Sequence, residues 1–417
     1  MVGAMAARRT PALLEGCGIE LEYAIVDRDS LNVLSLSDEV LRAAAGHYTN
    51  EYRNDRMGWS NEFVCHVIEL KNNDPLPSLK GLATSFHQQI KEVHTLLRRM
   101  GGRLMPTGMH PWMDPRKEAK IWQHRYRQIY ETYDRIFNCR RHGWANVQSM
   151  HVNLSFREDE EFGRLHAAIR LILPIIPALA ASSPIVSGKV TGLHDTRLLY
   201  YSRNQQKVPS VMGRIIPEPV FTEAEYRKKI LESMYRAIAP YDEEGILQHE
   251  WLNSRGAIPR YERKAMEIRV IDTQECPRAN IAVAELIIAA LRLLVAGQWG
   301  PYDVQKGWGI SPLVSVFRKC IRGSDTAVIE NTRYLRMLGF PESKAQAGEV
   351  WKHLLTEGNK GGYISRESMK ILDMITEKGT LSRRILRAVG PDPSHSRLKS
   401  VYQRLCECLE MNRPFIE

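Results

Sequence analysis

The stretch Gly18-Ile19-Glu20-Leu21-Glu22-Tyr23-Ala24-Ile25-Val26-Asp27 sets the strongest condition on how this 417-residue chain can fold. Its residues favour strands, and in a strand side chains two positions apart share a face. Glu20 and Glu22 therefore project side by side, while Ile19, Leu21 and Tyr23 point the other way. Two carboxylates on one face of a buried strand repel each other and lose hydration unless a positive charge lies between or beyond them. A hard divalent cation with oxygen ligands is the simplest remedy. The same alternation also describes an ordinary antiparallel strand with one wet face, so this pair alone leaves both readings open.

Other stretches repeat the pattern. Asn61–Lys71 reads as a strand that stops at Asn72-Asn73-Asp74-Pro75. Its Glu62 and Glu69 are seven apart, which puts them on one helix face, or on opposite strand faces unless a bend or bulge intervenes. Taken alone, they read as two surface acids. In Asn146–Phe156, strict alternation sets Gln148, Met150, Val152 and Leu154 on one face and His151, Asn153 and Ser155 on the other. In Arg260–Asp272, Glu267 and Arg269 share a face, again two apart. One such strand is an ordinary salt-bridged surface. Three in one chain are better explained by a shared cavity lined with carboxylates.

The rest of the first 300 residues supplies helices. Ser37 is placed to cap a short helix through Ala45. Ser78–Met100 carries apolar residues at helical spacing and ends at Gly101-Gly102. A helical region follows at about 117–137, and a buried helix at 160–181 is closed by Ser182-Ser183-Pro184. The Gly-rich loop at 187–192 lacks the order of a P-loop. Arg197 and Arg203 follow it and suit capture of phosphate or carboxylate, with surface arginines as the plain alternative. Thr222-Glu223-Ala224-Glu225 is a capping box for a helix to about Ala239.

A Gly/Trp/Pro-rich joint at 297–309 precedes helical segments near 312–322, 325–338, 345–357, 364–378, 380–388 and 395–410, none with a metal-like acid cluster. The chain thus divides into a catalytic domain, 1–300, and a helical C-terminal region, 301–417, packed on it. Residues 1–15 read as a loose leader.

Composition narrows the function class. With 43% hydrophobic and 25% charged residues, the chain is ordinary globular protein. Seven scattered cysteines without a CxxC pair exclude zinc-ribbon and thioredoxin chemistry and fit reduced thiols. Met1–Leu14 has no apolar core of signal-peptide length, and the two most apolar stretches are broken by charges or prolines. A soluble, cytoplasmic protein without membrane partners is expected. The net charge of +10 raises the question of nucleic acid, yet basic residues alternate with acids almost everywhere. Attraction of small anionic substrates accounts for the charge equally well.

The ordered set Gly18-x-Glu20-x-Glu22, Glu62-x6-Glu69, His151-x-Asn153-x-Ser155-Phe156 and Glu267-x-Arg269 resembles the glutamate–cysteine ligase type 2 family of carboxylate–amine ligases, within the glutamine synthetase-like superfamily. Pro106-Thr107-Gly108-Met109-His110-Pro111, Ser182-Ser183-Pro184, Trp251–Ala257 and Thr273–Pro277 extend the match. The resemblance implies an α+β fold, with a curved, largely antiparallel sheet forming an active-site funnel and helices packed behind it. It implies ATP and Mg²⁺, with Mn²⁺ as a substitute. It implies that a carboxylate, the γ-carboxylate of glutamate above all, is phosphorylated and then joined to an amine such as cysteine, with release of ADP and phosphate. By the same resemblance, Glu20, His151 and Glu267 hold the metal beside the nucleotide phosphates. Glu22, Glu62 and Glu69 hold the metal nearer the acceptor carboxylate. Arg269 and Glu267 serve catalysis, and Asn153, Arg197 and Arg203 contact nucleotide or substrate. The alternatives are a guanidino-kinase-like phosphotransferase on the same scaffold and a non-enzymatic basic nucleic-acid binder. Assembly into a homo-oligomer stays open.

Overall fold

The computed structural model describes residues 10–417. Most of the expected leader lies outside that range; its last part, Leu13–Glu15, is a turn leading into the first strand. Twelve strands follow in chain order: β1 (Cys17–Asp27), β2 (Glu51–Arg53), β3 (Met57–Asn61), β4 (Val67–Asn72), β5 (Gly102–Met105), β6 (Ser149–Ser155), β7 (Ile185–Val186), β8 (Lys189–Val190), β9 (Ala257–Arg260), β10 (Ala265–Asp272), β11 (Val328–Ile329) and β12 (Ala345–Gln346). Eight form one antiparallel sheet in the order β2-β3-β4-β1-β6-β10-β9, with β5 also paired to β1. Helices and this open sheet make up the expected α+β fold.

The sheet is two-faced because its central strands alternate. Ile19, Leu21 and Tyr23 of β1, Ile68 and Leu70 of β4, Met150, Val152 and Leu154 of β6, and Met266 and Ile268 of β10 are all excluded from solvent. They join one apolar core with the helices Leu82–Arg98, Asp159–Ile172 and Pro277–Val295. Pro277–Val295 also packs against the C-terminal helices Ala347–Lys360 and Arg366–Lys378, so the same core continues into the C-terminal region. Burial on this scale is the main stabilising term of the fold.

The last two helices, Leu381–Val389 and His395–Met411, do something different. They pack on Ala24 and Val26 of β1 and on Met105. Ala24 and Val26 lie on the strand face that carries Glu20 and Glu22. The polar face of β1 thus turns apolar after Glu22 and is covered there by the chain's C-terminal end. A fully buried ion pair, Arg384 Nη1 to Glu275 Oε1 at 2.6 Å, fastens that end to the loop after β10.

Several boundaries differ from expectation. Asn61–Lys71 is not one strand but the turn and second arm of the β3–β4 hairpin. The backbone of 62–65 bonds outside the sheet, with Cys65 N–H donating to Lys120 and Ser37 N–H donating to Cys65, and the sheet is rejoined at His66, whose carbonyl accepts from Ile25 N–H of β1 at 2.7 Å. Leu36, not Ser37, is the cap residue of Ser37–Ala45, and the Ser37 hydroxyl is buried without a partner. The 117–137 region is a short turn of helix, Pro115–Glu118, an extended bridge at Ile121 to Val64, and a helix Arg127–Phe137. The 160–181 helix is interrupted at Leu173–Ile175, where Pro174 lacks the N–H a helix interior needs. The 325–338 segment holds β11, paired with β12, before a helix Thr332–Met337 capped by Asn331.

Four histidines lie inside this core: His66, His94, His110 and His166. Burial holds them below the ordinary imidazole range, His66 at about 4 and the other three at about 3. His94 Nε2 accepts a hydrogen bond from Leu104 N–H at 2.9 Å, which requires the neutral ring. Above about pH 6.5 these groups are neutral whether the chain is folded or not. Below it the unfolded chain takes up protons that the folded chain refuses, so stability is lost as pH falls from about 6.5 towards 4. Each histidine contributes up to about 1.4 kcal/mol per pH unit in that window. His94→Gln is expected to flatten the dependence of urea-unfolding free energy on pH by about one proton; an unchanged slope would contradict the assignment.

Candidate active site

Sheet register assembles the acids. On one rung Ser60 of β3 pairs with Glu69 of β4, and Glu69 with Glu22 of β1. On the next, Gly58 pairs with Lys71, Lys71 with Glu20, and Glu20 with His151 of β6. A third brings Gly18, Asn153 and Glu267 of β10 into line. A β-bulge between Ile268 and Ile271 then reorients β10 around Arg269. Glu62 arrives from the turn before β4. Glu20, Glu22, Glu62, Glu69, Lys71, His151, Glu267 and Arg269 thereby form the floor of an open cavity of about 450 Å³.

Glu22, Glu62 and Glu69 offer oxygens within 4.8 Å of one another. Glu20, Glu69 and His151 form a second such group, so Glu69 is common to both. Glu267 belongs to neither: its carboxylate lies 2.9 Å from Arg269 Nε and 3.6 Å from Arg260 Nε. Like charges directly opposite on adjacent strands are unfavourable, and the titration directions record it. Burial, then the charges of Glu22, Glu69 and Glu20, push the Glu62 carboxyl well above its usual range. Burial and Glu20 raise Glu69, against Lys71 and a 2.6 Å hydrogen bond from Ser60 Oγ. The Glu62 carboxylate accepts no hydrogen bond from a described residue, although its backbone carbonyl accepts from Asn61 Nδ2 at 3.0 Å.

Glu20 is the counter-case. Burial would raise it, but His151 Nδ1 at 2.8 Å, supported by Lys71 and Arg263, holds it down at about 2. His151 is itself lifted to about 9 against burial, by its hydrogen bond to Glu20 and by the Glu22 and Glu267 charges. Its Nε2 lies 3.0 Å from Ser149 Oγ and 3.5 Å from Glu22 Oε1. Glu22 Oε2 accepts from both Ser149 N–H, at 2.7 Å, and Ser149 Oγ, at 3.0 Å.

The other expected site residues fall in different places. Asn153 donates to Glu20 Oε1 at 3.2 Å and so holds the carboxylate. A side chain at Gly18 would press on Asn153, its Cβ 3.3 Å from that of the asparagine. Arg197, one of the residues lining the cavity, is buried and paired through Nε with Asp272, while its Nη2 is buried without a hydrogen-bond partner. Arg203 is exposed and lines a separate cleft with Arg214 and Arg318, away from the acids.

Asp272 is a functional anchor the sequence left unremarked. It is fully buried and accepts from Ser182 N–H at 2.8 Å and Ser183 Oγ at 2.7 Å as well as from Arg197. A Cβ on Gly108 would sit 2.5 Å from the Asp272 carboxyl carbon, which explains a glycine in the 106–111 loop. Ser149, Ser60 and Lys71 were also missed as site residues. Ser149 and Lys71 stand two positions from His151 and Glu69, so their sharing of a face was available; their partners, on other strands, were not.

The description glutamate-cysteine ligase family 2 (GCS2) matches residues 17–306. An uncharacterised protein of Archaeoglobus fulgidus is 34% identical over 399 residues, covering 96% of this chain and 100% of its own. A Sorangium cellulosum protein carrying a provisional glutamate–cysteine ligase 2 name is 28% identical over 200 residues, 46% of this chain and 49% of that protein; the match thus spans about half of that relative. Among solved structures, a glutamate–cysteine ligase from Francisella tularensis in complex with AMP superposes with a TM-score of 0.60 at 13% identity, covering 96% of this chain and 90% of that one. That structural likeness shows a shared fold. With the family match covering the whole acid-bearing sheet, the chain belongs to glutamate–cysteine ligase family 2.

Proposed function

We propose that this protein is an ATP-dependent carboxylate–amine ligase that uses two divalent cations. The observation that carries this reading is the pair of three-donor groups sharing Glu69. One side would be held by Glu20, His151 and Glu69, with Glu267 beside it, and the other by Glu22, Glu62 and Glu69. The donor set is four carboxylates and an imidazole, which suits Mg²⁺ and admits Mn²⁺. Burial first, and then the neighbouring carboxylates, raise the titration of Glu62 and Glu69, as expected of acids withdrawn from water and short of positive charge. When bound, the cations would neutralise charge on the transferred phosphoryl group and on the carboxylate that attacks it.

The chain's own residues supply the rest. Arg269, with Arg260 beside it on Glu267, offers fixed donors to phosphoryl oxygens. Ser149 and Ser60 fix the Glu22 and Glu69 carboxylates by short hydrogen bonds. In the reaction a carboxylate oxygen attacks the γ-phosphorus of ATP and ADP leaves. The amine nitrogen then attacks the acyl carbon, the bond to phosphate breaks, and nitrogen gives up a proton. The γ-carboxylate of glutamate is the acid this family reading favours.

Two measurements test the reading. ADP and phosphate release is expected only when acid and amine are both present, and Glu20→Ala or Glu267→Ala is expected to abolish it while circular dichroism stays that of the wild type. Full activity in both variants would remove the assignment, and a stable phosphorylated product without amine, seen by phosphorus NMR, would favour a phosphotransferase. Separately, Glu62→Gln is expected to raise the melting temperature of metal-free protein, because it relieves repulsion among Glu22, Glu62 and Glu69. The same substitution is expected to shrink the further rise that Mg²⁺ gives the wild type. A lower metal-free melting point, or an unchanged Mg²⁺ response, would mean that Glu62 is no ligand.

A further inference from the structure

Facing the acid floor, the cavity has a wall of rings. Phe63, Tyr130, Trp144, Tyr201 and Trp251 line it, each only half-buried. All but Tyr201 pack ring against ring in tilted or T-shaped contacts: Phe63 and Tyr130 centroids lie 5.5 Å apart, Phe63 and Trp144 5.4 Å, and Tyr133 bridges Trp144 at 5.2 Å to Trp251 at 5.9 Å. Phosphoryl transfer uses none of this surface. Open aromatic area inside a cavity otherwise lined by charge marks where the apolar body of a ligand lies.

Four residues that line the same space carry a buried side-chain polar atom without a hydrogen-bond partner; Trp144 Nε1 and Arg269 Nε are two of these atoms, and Arg197 and Gln205 hold the other two. Arg197 Nη2 is a donor and Gln205 Oε1 an acceptor, and both residues are 2% exposed. Buried groups of this kind are costly to leave unpaired. A ligand with a carboxylate and an N–H group would satisfy both.

Position decides which substrate this is. Phe63 follows Glu62 in the chain, and the Tyr130 hydroxyl accepts from Asn61, which precedes Glu62, at 2.9 Å. The wall therefore adjoins the Glu22–Glu62–Glu69 group. The cations suited to a polyphosphate, Arg260 and Arg263, stand by Glu267 and Glu20 instead. Resting on the ligase reading, we infer that the wall seats the amine substrate and that this substrate is an amino acid with an aromatic side chain. Its carboxylate meets Arg197 and its amino N–H meets Gln205, leaving the nitrogen lone pair free. That lone pair forms the new C–N bond at the acyl carbon, the C–O bond to phosphate breaks with its electron pair, and the ammonium proton passes to solvent. A cysteine side chain would cover little of a wall on which an aromatic one buries about 150–250 Å².

Calorimetric titration of the full chain without ATP tests this with L-phenylalanine, L-cysteine, phenethylamine and adenosine. Phenylalanine is expected to bind at least about tenfold more tightly than cysteine, and about tenfold more tightly than phenethylamine, which lacks the carboxylate. Phe63→Leu and Trp251→Leu should each weaken phenylalanine and spare cysteine, and Gln205→Met should weaken both amino acids. Equal affinity for cysteine, unchanged affinity in both ring variants, or displacement of phenylalanine by adenosine would overturn the inference. ADP release with cysteine but not phenylalanine would overturn it and leave the ligase reading standing. Phenylalanine binding with no ADP release for any acid would remove the ligase reading alone.

Discussion

Everything in this structure is arranged around a repulsion. Glu22 and Glu69 face each other on adjacent strands, and Glu62 is turned in towards them. Three carboxylates so placed, two buried and Glu62 half-buried, destabilise the sheet that carries them, and only one of the two groups contains a compensating cation of its own. His151, poised between Glu20 and Glu22, supplies positive charge to the first. The second depends on Lys71, which reaches Glu69 at 3.2 Å and Glu51 at 3.4 Å but is divided between them. On the proposed reading, bound cations complete the charge of this under-neutralised site, and the rest of the fold is what keeps it from relaxing.

It cannot relax because the opposite face of the same strands is the core. A one-residue slip of β1 would move Ile19, Leu21 and Tyr23 out of the core and put the acids in. Buttresses add to this. Asp272 gathers Arg197 and the Ser182–Ser183 segment beside the bulge that presents Arg269. Gly108 leaves room for it. The C-terminal helices cover β1 where its polar face ends, with Arg384 and Glu275 holding them in place. The tail, which carries no part of the acid cluster among the described residues, thereby fixes the rim of the site.

What sequence reveals here follows from periodicity. The i, i+2 pairs Glu20–Glu22, His151–Asn153 and Glu267–Arg269 announced which side chains share a face, because strand geometry makes that a local property. Which strands are neighbours is not local. Nothing in the spacing says that Glu69 sits opposite Glu22 rather than beside Glu267; the resemblance groups Glu267 with Glu20 and His151, and the sheet register brings Glu69 within 4.8 Å of those two as well. Glu62 shows the same limit from the other side: its seven-residue separation from Glu69 looked like two surface acids until a turn, invisible in the apolar run Phe63–Ile68, folded one towards the other. Ser37 and the 325–338 segment were misread because local propensity was overruled by tertiary bonds, from Cys65 in one case and β12 in the other.

The two halves of the cavity are built from different material, and this bears on how such a family diversifies. Apart from Glu62, which the turn before β4 supplies, the acid floor stands on β1, β4, β6 and β10, in the middle of the sheet, where each residue is fixed by two neighbouring strands. The facing wall comes from the turn after β3, the Arg127–Phe137 helix, the short turn at His142–Ala145 and the 196–205 and 251–254 segments. Changing a ring on that wall alters one contact surface; moving an acid on the floor disturbs a strand, its register and the core behind it. On the proposed reading, phosphoryl chemistry is thereby locked to the most cooperative part of the fold, while the surface proposed to seat the amine lies on elements that can change without it.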